Sequence, residues 1–226
     1  MTEAEVFEQI ERIQTEVYIC GTAYYQWKEL HNVCSSWPSR PRTLDAHGIF
    51  WSATLASLQN TYILGLAKLF DKRKVSFSLD TVIRYGKNNS QYFSNTARAS
   101  RKVLAGESQA NATAYTQNGF EPNQKDFDSL KNSLNNARTI VVNKIRPIRH
   151  NVVAHTQRGI SASITASLYG KVTTAEIESV LDEANNIGTL LWGNWMNGHD
   201  FNGSHAFLKP PSLNGDTVDL IGKASV

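Results

Sequence analysis

A chain of 226 residues with 41% hydrophobic content can bury one sizeable core, and one domain is the natural division at that length. Its 23 lysines and arginines stand against 20 aspartates and glutamates, a net charge of +3, which permits contact with nucleic acid without the concentrated basicity of a dedicated binder. Cys20 and Cys34, in no metal-binding or redox spacing, exclude a thiolate zinc site and read as reduced thiols; the acidic start Thr2-Glu3-Ala4-Glu5 is no signal peptide, and no apolar run approaches the ~20 residues that span a bilayer, so a cytoplasmic protein without membrane attachment is expected.

Apolar residues at Val6, Ile10, Ile13, Val17, Tyr24 and Trp27 recur at steps near 3.6, predicting a long amphipathic helix over about 2–33 that opens on a Thr2/Glu5 capping box. Pro38 and Pro41 break the chain after it. A second helix, about 43–70, carries Ile49, Phe50, Trp51, Leu55, Leu58, Tyr62, Ile63, Leu66, Leu69 and Phe70 around much of its circumference, which predicts a central position touched on several sides. Asp71-Lys72-Arg73-Lys74 ends it. Ser78 caps a short helix reaching Arg84, and another spans about 94–104. The polar stretch 106–124 has little to bury and is expected to be an exposed loop. The helical pattern returns over 123–155 through Phe127, Leu130, Leu134, Ala137, Ile140, Val141, Ile145, Ile148 and Val152, with Pro147 predicting a kink. Residues 161–172 carry the sole, weak trace of strand alternation. Thr173 and Glu176 form a second capping box, opening a helix with Ile177, Val180, Leu181, Ala184, Ile187, Leu190, Leu191 and Trp195. The predicted class is all-α: a bundle of four to five long helices plus short ones over 1–198, followed by an irregular tail over 199–226 that contains Gly203, Pro210, Pro211 and Gly215.

The chemistry-bearing segment is Arg146-Pro147-Ile148-Arg149-His150-Asn151-Val152-Val153-Ala154-His155. RNA cleavage by attack of its own 2′-hydroxyl needs a base, an acid and a cation for the crowded phosphorane; histidine titrates near neutrality and serves as either acid or base, and arginine's planar fork holds phosphate. On a straight helix Arg149 and His155 would stand about 9 Å apart along the axis and point roughly 120° apart, so they share a site only through a helix end, the Pro147 kink or a second copy of the chain. The plainer reading is a solvated helix face with His155 bonded to a final carbonyl. Weaker candidates for contacts along a phosphate backbone are Lys72 and Arg73 at the end of the second helix, Arg98 and Arg101, and Arg146. His199, Asp200 and His205 fit no zinc spacing, and there is no phosphate-cradling glycine loop or nucleophile-elbow serine, so neither metal nor cofactor is expected.

Arg149 to His155 resembles the signature of the HEPN superfamily: an arginine, a short run opening on a polar residue, then a histidine, on a helix of an all-α bundle. Phe50-Trp51-Ser52-Ala53-Thr54-Leu55 through Leu66-Ala67-Lys68-Leu69-Phe70-Asp71, then Ser76-Phe77-Ser78-Leu79, resembles the AbiU-like abortive-infection branch, as does the Arg-x-x-x-x-Ala-His ending. The likeness covers about Val6 to Trp195 and leaves out the tail. It implies a homodimer whose two arginines and two histidines line a shared cleft, acting as a metal-independent endoribonuclease on RNA in bacterial abortive-infection or toxin–antitoxin defence, with an antitoxin protein as partner. Other members bind nucleotides or act as scaffolds. Carried onto this chain, Arg149 would be the phosphate-binding cation and His155 the acid or base. His150 takes the position where the family often has Asn or Asp, and Asn151 follows it, so the orienting role falls to either. The catalytic and the non-catalytic binding reading both stay open.

Overall fold

Helix α1, Glu3–Ser35, buries Val6, Ile10, Ile13, Val17, Cys20 and Tyr24, alternating steps of four and three that keep one stripe facing inward. The Thr2/Glu5 box forms as read, Glu5 N–H donating to Thr2 Oγ1 at 3.3 Å and Thr2 N–H to Glu5 Oε2 at 2.6 Å. The computed structural model describes residues 2–35, 47–73, 77–153 and 161–203. Among these there is no strand.

Helix α2, Gly48–Leu69, lies along α1. The two backbones approach most closely where Gly65 faces Cys20: a Cβ at position 65 would sit 2.0 Å from the Cys20 sulfur, so only glycine fits. Burial pushes the Cys20 thiol up to about 12, and it stays protonated and inert there. The expectation that α2 is surrounded holds for its last third alone. Tyr62, Ile63, Leu66 and Leu69 are buried, but Ile49 is 91% and Phe50 61% exposed. The residues Ile49, Ala53, Ala56, Asn60 and Leu64 form an exposed stripe on the side away from the core.

Ser78 caps α3, Leu79–Asn88, and a single 3₁₀ turn, Ser90–Phe93, leads to α4, Asn95–Leu104, capped by Ser94. The stretch expected to be a loop contains a helix, α5, Gln109–Thr116, with Ser108 accepting from Asn111 N–H at its start. It buries only Ala112 and Thr116, small side chains that give no hydrophobic signature, and rests on α4. Helix α6, Gln124–Ile140, starts with a box between Asn123 and Asp126 and packs on α3 and on α8, Thr174–Asn197. The segment with a trace of strand alternation is α7, Ala162–Tyr169: Ser161 caps it, accepting from Ile164 N–H, and this local cap outweighs a weak two-residue period. The Thr173/Glu176 box opens α8 as read, and Gly198, at φ +69°, closes it in the left-handed conformation that favours glycine. Phe201 then turns back onto Phe127, ring centroids 5.5 Å apart, and the part of the tail beyond Gly203 lies outside the described residues.

One buried ion pair fastens three elements. Asp80 on α3 accepts from Arg138 of α6 at 2.7 Å and from Lys131, and the Arg138 Nε donates to the Phe70 carbonyl at the end of α2 at 3.2 Å. Arg138 is 3% and Asp80 9% exposed at the side chain. Burial by itself would push the Asp80 carboxyl up, but the Lys131 and Arg138 hydrogen bonds win and hold it below the usual carboxylate range. A depressed folded-state pKa contributes stability that is complete above the unfolded value near ~4 and is lost as pH falls through the folded value. Asp80→Asn should therefore cost about 3–5 kcal/mol at neutral pH by leaving Arg138 buried without its counter-charge. It should also flatten the acid limb of the stability curve below pH ~4. Urea titrations of both proteins between pH 7 and pH 3 check this; equal midpoints at pH 7 would refute it.

Candidate nucleic-acid interface

After α6 the helix does not stay α. It widens to i→i+5 pairing over Val141–Ile145, returns to one α turn at Arg146–Ile148, and widens again over Arg149–Val153. Two features of the sequence account for this. Pro147 has no N–H to give to an α turn. The buried positions Ala137, Val141 and Ile145 also follow one another at steps of four, which would rotate an α-helix's inner stripe by about 40° per step. A wider turn cancels that drift and keeps Val141, Ile145 and Ile148 in the core. Both widened stretches pack against α2, so the kink expected at Pro147 takes the form of two π turns seated on that helix. Lys144 ties the first of them to Glu176 at the start of α8.

With Ile145 and Ile148 facing inward, Arg146 and Arg149, three residues apart on one face, meet the end of α2. The Asp71 carboxylate there receives Arg73 Nε at 2.7 Å and Arg73 N–H at 3.1 Å, and Arg146 Nη2 stands 3.6 Å from it. Arg149 lines a cavity of about 310 Å³ together with Lys68, Asp71, Arg73, Phe77, Leu64 and Ala67. Lys68 is paired with Glu16 at 2.7 Å and lies 5.4 Å from the centre of the Phe77 ring, and Arg12 lies 4.6 Å from it on the same ring. Arg149 and His150 are exposed and Asn151 is half-buried; His155 lies outside the described residues.

Of the residues singled out in the sequence, the fold thus brings Arg73 and Arg146 to one carboxylate, Asp71, beside the cavity that Arg149 lines; Lys72 is exposed next to them. Arg98 and Arg101 belong elsewhere. Arg98 is 1% exposed, and its guanidinium donates to the Phe93, Asn194 and Phe120 carbonyls and to Asn95. Arg101 donates to the Tyr92 and Trp195 carbonyls and pairs with Glu3. The Nη donors of both are taken up inside the protein, which sets them apart from exposed cations that could track a phosphate backbone. Sequence reasoning missed Lys68 and Phe77 and saw Asp71 only as a helix end. The available signal was that α2 stops just where its C-terminal turn carries a lysine, an acid and two further cations.

The arrangement suits a phosphate. Two guanidinium groups and an ammonium surround a small cavity, with an aromatic ring on one wall and a carboxylate that an incoming anion must displace or bridge through its partners. The molecule so defined is an all-α bundle presenting a cationic pocket on a broken helix. The chain belongs to the AbiU2 family of HEPN proteins, whose family model matches residues 8–212. The match runs past Trp195, where the resemblance read from the sequence stopped, so the first part of the tail belongs to the family pattern as well. No curated protein and no solved structure matches the chain.

Arg149→Ala should weaken binding of a short single-stranded RNA at every sequence and lower the slope of log affinity against log salt by about one. Asp71→Asn should act the other way, releasing Arg73 and Arg146 and tightening binding by roughly fivefold, on the order of 1 kcal/mol. Fluorescence anisotropy over a salt series measures both. Weaker binding by Asp71→Asn would mean that the carboxylate positions the cations and does not compete for them.

Proposed function

We propose that this protein is a metal-independent endoribonuclease of a bacterial abortive-infection or toxin–antitoxin system, active as a homodimer. The observation that carries the reading is the pocket around Arg149, in which the arginine of the HEPN-like signature shares a cavity with Lys68 and Arg73. In the reaction the 2′-oxygen attacks the adjacent phosphorus while a base takes its proton. The bond to the 5′-oxygen breaks, and an acid supplies a proton to that leaving oxygen, giving a 2′,3′-cyclic phosphate and a free 5′-hydroxyl. Arg149 would hold the phosphorane's added charge, and His155 would serve as acid or base. His150 or Asn151 would orient the phosphate or the imidazole.

The dimer reading is supported by the exposed stripe Ile49, Ala53, Ala56, Asn60 and Leu64 on α2, which is apolar or small at four of its five positions and ends at the cavity wall with Leu64. Two such stripes packed together would bring two Arg149 pockets into one cleft. An antitoxin protein would act by covering that cleft. A non-catalytic nucleotide-binding module is the second reading, and the half-enclosed cavity with Phe77 on its wall favours it.

The test is cleavage of a mixed RNA pool in EDTA by wild type, Arg149→Ala, His155→Ala and Ala56→Glu. Cleavage by wild type alone, with cyclic phosphate ends, is expected, together with a monomeric Ala56→Glu protein in sedimentation. Cleavage by Arg149→Ala or His155→Ala at the wild-type rate would refute the assignment. No cleavage by a folded wild-type dimer that still binds nucleotide would select the binding module.

A further inference from the structure

A larger cavity, about 700 Å³, lies where the start of α1, the end of α4 and the end of α8 meet, and none of its residues belongs to the Arg149 pocket. Its size falls within the range of small-molecule sites. Phe7, Ala105, Trp195 and Met196 supply apolar wall, with Phe7 stacked on Trp195 at 5.8 Å and Met196 40% exposed at the rim.

The charges on the wall do not balance. Arg98, Arg101 and Lys102 line the cavity against a single carboxylate, Glu3, which is taken by Arg101. Arg101 lies over the Trp195 ring at 4.2 Å with its donors spent on carbonyls. The acceptors of Arg98 are carbonyl and amide oxygens, and its buried Nε has no partner. Burial and the neighbouring Arg101 both disfavour its charged form, and Glu121 only partly offsets them. Lys102 makes no ion pair among the described residues; its ammonium rests 3.9 Å from the centre of the Tyr115 ring. An uncompensated positive potential in a low-dielectric, apolar-walled space attracts an anion, and an anion that brings an apolar body fills the space as well. Inorganic phosphate would leave the apolar wall at Phe7, Ala105 and Met196 in water, and an apolar amine would add to the unbalanced charge.

We propose that this cavity is a binding site for a small organic anion, a single carboxylate or sulfonate on an aliphatic or aromatic body, with its headgroup at Lys102 and its body against Phe7, Ala105 and Met196. It is independent of the Arg149 pocket and of the reading given to that pocket.

The experiment is titration of the full chain with anilinonaphthalene sulfonate, followed by displacement with decanoate, decanol and decylamine. Near-ultraviolet circular dichroism confirms that each protein is folded. One saturable site is expected, emptied by decanoate at lower concentration than by decanol and not by decylamine. Lys102→Glu should weaken decanoate about tenfold, as loss of one charged hydrogen bond does, and leave decanol unchanged. Ala105→Trp and, separately, Met196→Trp should fill the cavity and block the probe, whereas Arg149→Ala should bind it like wild type. Absence of saturable probe binding, equal displacement by decanoate and decylamine, or loss of the site in Arg149→Ala would each overturn the proposal.

Discussion

Arg138 is the side chain on which the rest of the site depends. It crosses the interior from α6 with its guanidinium on the Asp80 carboxylate of α3, the Phe70 carbonyl and the Asn135 side chain of its own helix. A charge at 3% exposure is tolerated only when its donors and its counter-charge are supplied together, so the three elements cannot shift independently. Phe70 precedes Asp71. The same clamp that stops α2 therefore sets where the Asp71 carboxylate stands, and Asp71 in turn holds Arg73 and approaches Arg146 beside the Arg149 cavity. A buried electrostatic constraint fixes the geometry of an exposed one.

The second element of the site is the helix that changes width twice. A regular α-helix over this region would have carried its inner residues away from the core, and Pro147 would have left a carbonyl without a donor. The two π turns keep the inner residues in the core, and they leave Arg146 and Arg149 on the face that meets the end of α2. Widened turns of this kind occur often at functional positions because they re-aim side chains without ending the helix. Here the cause is visible in the order of apolar residues, and the consequence is a cluster of cations assembled from two segments distant in the chain.

The two cationic regions of the molecule differ in what their charges are doing. Around Arg149 the cations are exposed or half-exposed, and Arg73 and Arg146 stand at one carboxylate, Asp71. Around Arg98 and Arg101, Nη donors go to carbonyls that join α4 to the end of α8, beside aromatic side chains. Composition treats these arginines alike, yet burial separates exposed cations from ones held inside the protein.

Much of the fold was legible in the chain because helices are local. The Thr2/Glu5 and Thr173/Glu176 boxes, the Ser78 cap and the period of α1, α6 and α8 rest on residues three or four apart, and all of them form. The family was legible for the same reason, since its signature is a short run on one helix. α5 was hidden because it buries only Ala112 and Thr116, and the exposed first half of α2 was hidden because hydrophobicity states that a face wants covering and not what covers it. The approach of Arg146 to Asp71 beside the Arg149 cavity and the withdrawal of Arg98 into the core were set by tertiary structure alone. Both depend on which distant carbonyls and carboxylates come within hydrogen-bonding reach, and no spacing along a single helix records that.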